Sequence, residues 1–239
     1  MDILLAGESW HEVSLMVKGQ DVSATSSYTE AGDHLIAALE TAGADVTYQP
    51  AHIARESFPH TREGFDEYDL VLLSDIGAQT LLLTPEVSAG EQSPNRLQVL
   101  ADYVANGGAV GMVGGYTSFA GENGQAGYWR TPLADVLPVE IASHDDRIER
   151  PSGVHPRNRG IDDLPEEWPA VLGYNRLVAS DGSDVLATVD DDPLLVVGDH
   201  GDGHAFAYAT DCAEHWAPRE FLEWEHLPDL WGAILSCVA

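Results

Sequence analysis

The chain has 239 residues, enough to bury a sizeable core, and a mean hydropathy of −0.15, with no apolar run near the ~18 residues a membrane helix needs. Asp and Glu number 40 against 11 Lys and Arg, a formal net charge of −29, and Lys18 is the only lysine. Without a basic stripe to release counterions, nucleic acid is excluded as a partner. The acids are dispersed rather than gathered in a tail, as a salt-rich cytoplasm favours, where repulsion is screened over about 3 Å at 1 M salt.

Asp2–Ala6 reads as a first strand; the N-terminus lacks the basic n-region of a signal peptide, so a cytoplasmic protein is expected. The stretch from Gly7-Glu8-Ser9-Trp10 to Ser27, which carries Lys18, reads as a polar irregular loop of the long kind that is more often functional. A helix is expected over about Thr29–Ala42, stopped by Gly43, then a strand at Ala44–Tyr48. After a connector at Ala51–Phe65, Tyr68–Leu73 is an apolar run suited to a strand covered on both faces, ending in Ser74-Asp75-Ile76-Gly77. Pro94 opens a helix over Asn95–Ala105, which feeds the strand Ala109–Val113 and the Gly114-Gly115 turn.

This alternation predicts an α/β fold, one domain over 1–239, with a mostly parallel sheet and right-handed crossovers. No GxGxxG follows the first strand, so a dinucleotide fold is not supported. Beyond Gly121 a short helix follows Thr131-Pro132, then a strand at Val139–Ala142. In the charge cluster Asp145–Arg150, Asp146 and Arg147 are the two that could turn inward. The last third is β-rich: Tyr174–Ala179, Asp184–Val189, and a hairpin of Leu194–Gly198 with His204–Ala209. A helix with Leu230, Trp231, Ile234, Leu235 and Val238 closes the chain. Two cysteines make neither a disulfide framework nor a zinc site, and Cys237 reads as a buried hydrophobe.

Ligands in open α/β sheets bind beyond the carboxyl ends of strands. Glu8, Ser9, Trp10, Asp75, Gly114, Gly115, Tyr116, Ser118, Asp211 and His215 all fall at such ends, and Lys18 could overhang them. Such a cleft suits a small polar molecule: a polyol, sugar or amino-acid-like ligand. His11, Asp75 and His215 have no metal-ligand spacing, so neither metal nor cofactor is expected. The aromatics near Trp216 and Trp224 would offer a dimer or partner face, leaving a homo-oligomer open.

The ordered set Gly7-Glu8-Ser9-Trp10, Leu73–Gly77, Gly114–Gly121, Thr131–Val139, Asp146–Glu149 and Ala209–Cys212 with His215–Pro218 resembles the class I glutamine amidotransferase-like superfamily, in the branch labelled "putative glutamine amidotransferase". The resemblance implies a flavodoxin-like α/β fold with helices on both faces. It also implies a glutaminase built on an elbow cysteine with a late His-x-Glu pair. Here the elbow is Gly114-Gly115-Tyr116-Thr117-Ser118, without a thiol, and no His-x-Glu follows Ala205–Ala209. The usual triad is therefore not expected. Ser118 and Cys212 with His215 are the weak replacements, and the neighbouring Asp211 and Glu214 would raise the pKa of that thiol.

Overall fold

The computed structural model describes residues 1–239. Strand β1 (Asp2–Gly7) is followed by the hairpin β2 (Ser9–Lys18) and β3 (Asp21–Glu30), then α1 (Asp33–Thr41) and β4 (Asp45–Gln49). Next come α2 (Ala51–Ser57), α3 (Arg62–Phe65), β5 (Leu70–Ser74), α4 (Ala78–Leu82), α5 (Pro85–Ser88), α6 (Arg96–Ala105) and β6 (Ala109–Val113). The later strands are β7 (Val139–Glu140), β8 (Arg147–Val154), β9 (Arg157–Asn158), β10 (Val171–Asn175), β11 (Val178–Ala179), β12 (Asp184–Val189), β13 (Asp192–His200) and β14 (Gly203–Tyr208). Helices α7 (Arg219–Leu222) and α8 (Leu227–Cys237) end the chain.

One eight-stranded sheet organises the molecule, in the order β4-β1-β5-β6-β14-β13-β12-β9. Its first five strands are mutually parallel, and β13, β12 and β9 continue it antiparallel. Every residue of β5 and β6 is buried, the pattern of strands covered on both faces. Helix α1 packs with α8, while α2, α3, α4 and α6 pack among themselves, giving the two covering layers. Asn95 caps α6, its Oδ1 accepting from Leu97 N and Gln98 N at 3.1 and 3.2 Å. The buried Arg96 donates to the carbonyls of Ala54, Arg55 and Glu56, so a cation closes the C-terminal end of α2.

Taken in chain order, the five parallel strands lie 2-1-3-4-5 across the sheet. The winding therefore reverses between β1 and β5, and loops from both leave a crevice at their carboxyl ends. That is where a ligand site is expected on topology alone.

Three expectations are corrected. The region read as a polar loop is the β2–β3 hairpin, two ten-residue strands in register from Ser9↔Glu30 to Lys18↔Asp21. Thr29 belongs to that hairpin, so α1 begins four residues later than its hydrophobic stripe suggests. Cys237 lies on the outer side of α8 and is exposed rather than buried.

Candidate functional site

The crevice at the β1–β5 switch is built first by backbone. Gly7 adopts φ +114°, and a Cβ there would sit 1.9 Å from the Ser74 carbonyl oxygen, so only glycine lets β1 end against β5. The chain then turns at Glu8, φ +47°, whose N–H donates to Ser74 O at 2.7 Å. The neighbouring strand repeats the device at Asp75, φ +41°. Two non-glycine residues in left-handed backbone, side by side on adjacent strands, store strain of about 1–3 kcal/mol each.

The third wall is the elbow after β6. Gly114 N donates to Tyr208 O and Thr210 O, and a Cβ on Gly114 would meet the Ala209 carbonyl at 2.2 Å. Gly115 N donates to Asn175 Oδ1, and Asn175 Nδ2 bonds the buried carboxylate of Asp146 at 2.8 Å. Asp146 also accepts from Ala120 N and Gly121 N. Asp146 thus turns inward, and with Asn175 it clamps the elbow loop from the far end of the chain. Asp75 holds the loop's other side, Oδ1 accepting from Thr117 N at 2.6 Å and Thr117 Oγ1 at 2.9 Å.

These walls enclose a cleft of about 410 Å³ lined by Glu8, Trp10, Asp75, Tyr116, Thr117, Glu122, Asp211, Ala213 and His215. A cavity of about 440 Å³ also opens beside Met1, Arg62, Tyr103 and Gly108. It lies at the amino ends of the strands, away from the switch crevice and its strained carboxylates. At the crevice, Tyr116 donates to Glu149 Oε1 at 3.0 Å, stands edge-on to His215 with centroids 4.1 Å apart, and carries the Arg147 guanidinium 4.4 Å above its ring. Arg147 is itself tied to Asp145 at 2.8 Å and Glu122 at 3.4 Å, so no free cation faces the cleft.

At the floor, Glu8 is buried and its Oε2 accepts from Ser74 Oγ at 2.5 Å and from Cys212 Sγ at 3.3 Å. Both bonds fall on Oε2. Burial, reinforced by the charge of Asp75, pushes the Glu8 carboxyl up to about 7. Asp211 accepts from Cys212 N and Ala213 N; burial first and the Glu8 charge second hold it well above the usual carboxylate range. Glu8, raised to about 7, holds a proton close to neutrality, the property of a general acid–base group.

The surroundings of Cys212 are the reverse of those that activate a thiol. Burial pushes its thiol well up, the charges of Glu8 and Asp211 add to that, and the thiol bonds Glu8 and Ser74 rather than His215. Ser118 is buried, donating to Val113 O and accepting from Asp75 N, which is structural work. No α-helix follows β6 before α7, so the elbow also lacks the helix N-terminus that would stabilise a thiolate. The donor atoms close enough to share an ion are those of Glu8, Asp211 and Cys212, within 4.8 Å, and not the set His11, Asp75 and His215.

Of the other expected site residues, Ser9 accepts from Ala51 N at 2.8 Å and pins the hairpin root to α2. Gly114 and Gly115 form the platform beneath Tyr116. Lys18 stands at the far tip of the hairpin, about 30 Å of strand away from Glu8, and does not overhang the cleft. Trp216 is fully buried, its Nε1 donating to Glu149 at 3.2 Å, and the half-buried Trp224 packs on the core; neither offers a partner face. Ser74, Thr117 and Asp146 fell inside the strand-end, elbow and charge-cluster motifs without being assigned to the site, and Glu122 and Asn175 fell in no motif. For Ser74, its place in the strand-end run Leu73–Gly77 was the available signal.

In solved structures, the whole chain matches two proteins from Salmonella typhimurium with a TM-score of 0.95. "Cytoplasmic Protein STM1381" is 42% identical with 100% of both chains covered, and "Cytoplasmic Protein STM3548" is 37% identical with 100% and 99% covered. A more distant match, to a "thua-like" protein from Parabacteroides merdae, has 14% identity and a TM-score of 0.54 over 99% of this chain and 89% of that one, and shows the fold alone. No curated protein matches. A family model described as "Putative glutamine amidotransferase" matches residues 2–239, and the chain belongs to that family.

Proposed function

Because the chain belongs to this family yet lacks the elbow thiol, we propose that it binds a small polar metabolite at the β1–β5 switch, with Glu8 exchanging a proton with it. The strand order supports reading the fold as flavodoxin-like, in which ligands occupy this crevice. The observation that carries the reading is the pair of left-handed, non-glycine residues, Glu8 and Asp75, whose carboxyl groups line one cleft. Strain of this kind persists where the surrounding structure enforces it and clusters at binding sites.

The lining selects the ligand class. Glu8, Asp75, Glu122 and Asp211 accept hydrogen bonds, and Trp10 and Tyr116 offer apolar or cation-attracting faces. Hydroxyl-rich or amine-bearing molecules fit this set; phosphates and carboxylates would meet like charge. A thermal-shift panel tests this: sugars, sugar alcohols and short diamines should raise the melting temperature, whereas phosphorylated or multiply carboxylated compounds of the same size should not. Stabilisation by the anionic set alone would overturn the reading.

Both Salmonella relatives carry the name cytoplasmic protein, and we extend that location to this chain. The 40 acids against 11 basic residues support adaptation to a salt-rich interior. Melting temperature is then expected to rise from low to molar salt as self-repulsion is screened; a flat or falling profile would count against it.

A further inference from the structure

The β2–β3 hairpin is the largest feature that the cleft does not use. Beyond Ser9 every residue of its two ten-residue strands is exposed. An isolated two-stranded hairpin is marginal in water, so an arm of this length needs a surface to lie on.

Alternation sorts the arm's side chains onto two faces. Val13, Leu15 and Val17 share one face, opposite Ser26, Ala24 and Val22. Val13 is 63% exposed, and Leu15, Val17 and Val22 are each 66% exposed. At its root this face continues into the His11–Tyr28 pair, whose rings are tilted to one another with centroids 4.7 Å apart. From there to the Val17–Val22 rung the strip is about 20 Å long. The other face carries Glu12, Lys18 and Asp21 with serine and threonine between them; Met16 is its one large apolar residue beyond the root. Elsewhere the exposed large apolar residues Ile53, Leu83, Trp129 and Val178 are far apart in the chain and occur singly.

Charge identifies the occupant. The outer strip bears no charge in a chain of net charge −29. A basic partner would be drawn to the acids elsewhere, whereas an uncharged apolar strip suits a partner as acidic as this chain. We propose that the arm joins two copies of this chain, the apolar face of one hairpin lying antiparallel on that of the other. A two-fold axis makes such a contact self-complementary. Glu12, Lys18 and Asp21 lie on the outward face of each arm in this arrangement, so no charge of the hairpin beyond its root is buried by the contact. Trp10, at the root, is a wall of the cleft, so the contact steadies the cleft's rim.

Sedimentation velocity on the full chain in molar salt, at tens of micromolar, tests the proposal. Wild type is expected to be a dimer and Leu15→Glu/Val22→Glu a monomer. Ser14→Glu/Ser23→Glu, which puts the same charge on the opposite face, is expected to remain a dimer. Leu15→Ser, which adds no charge, should weaken the dimer about tenfold or more. A monomeric wild type, an assembly larger than a dimer, an oligomer that survives Leu15→Glu/Val22→Glu, or equal dissociation by both charge pairs would overturn the proposal.

Discussion

Glu8→Gln is expected to raise the melting temperature at pH 8 and to leave it nearly unchanged at pH 5. In the native protein the Glu8 carboxyl titrates at about 7, against 4.5 when unperturbed. Between those values the folded state binds the proton and the unfolded state does not. Stability therefore falls as pH rises from about 4.5 to about 7, and the loss persists above that. The difference corresponds to at most about 3 kcal/mol, or about 5–10 °C for a chain of this size. Glutamine cannot ionise, and its carbonyl oxygen can still accept from Ser74 and Cys212. Thermal unfolding of both proteins at the two pH values, in one salt, checks this. An equal loss at both would mean that Glu8 is a structural acceptor and not a buried acid.

Gly7→Ala should be among the most damaging single-methyl changes in the chain, costing more than about 4 kcal/mol or preventing folding. The new Cβ would sit 1.9 Å from Ser74 O and 2.9 Å from the Ile76 side chain, and φ +114° is closed to alanine. The clash is with backbone of the central strand β5, so no side chain can yield to relieve it. Gly43→Ala, also at positive φ but with nothing within 4 Å of its Cβ, separates backbone strain from collision and should cost far less. Denaturant midpoints of the two variants give the comparison; similar losses would show that the close approach of β1 to β5 is not what requires Gly7.

What was legible in the sequence followed from burial. Ala109–Val113 and Leu70–Ser74 are continuous apolar runs because both faces are covered, and such runs can be read without knowing their neighbours. The hairpin was missed for the opposite reason. Its alternation of Val13, Leu15 and Val17 is present in the sequence, but Ser and Thr fill the partner strand and the body of the protein gives the arm no core. In the site, Glu8, Asp75, Tyr116 and Asp211 were recognisable as polar groups at strand ends. Asp146 was legible as an acid that could turn inward, but its clamp with Asn175 was not, because the partners lie 25 to 60 positions apart in the chain. Trp216 misled for a related reason: its indole is buried by β10, where a Cβ on Gly173 would lie 2.2 Å from Nε1.

The most direct test of the central claim applies the panel of sugars, sugar alcohols and short diamines to wild type, Glu8→Gln and Asp75→Asn at pH 8. At least one compound is predicted to stabilise the wild type at millimolar concentration and to lose that effect in both variants, each of which removes one carboxylate from the cleft. If no compound stabilises the wild type, or if stabilisation persists unchanged in both variants, the crevice between β1 and β5 is not the binding site described here.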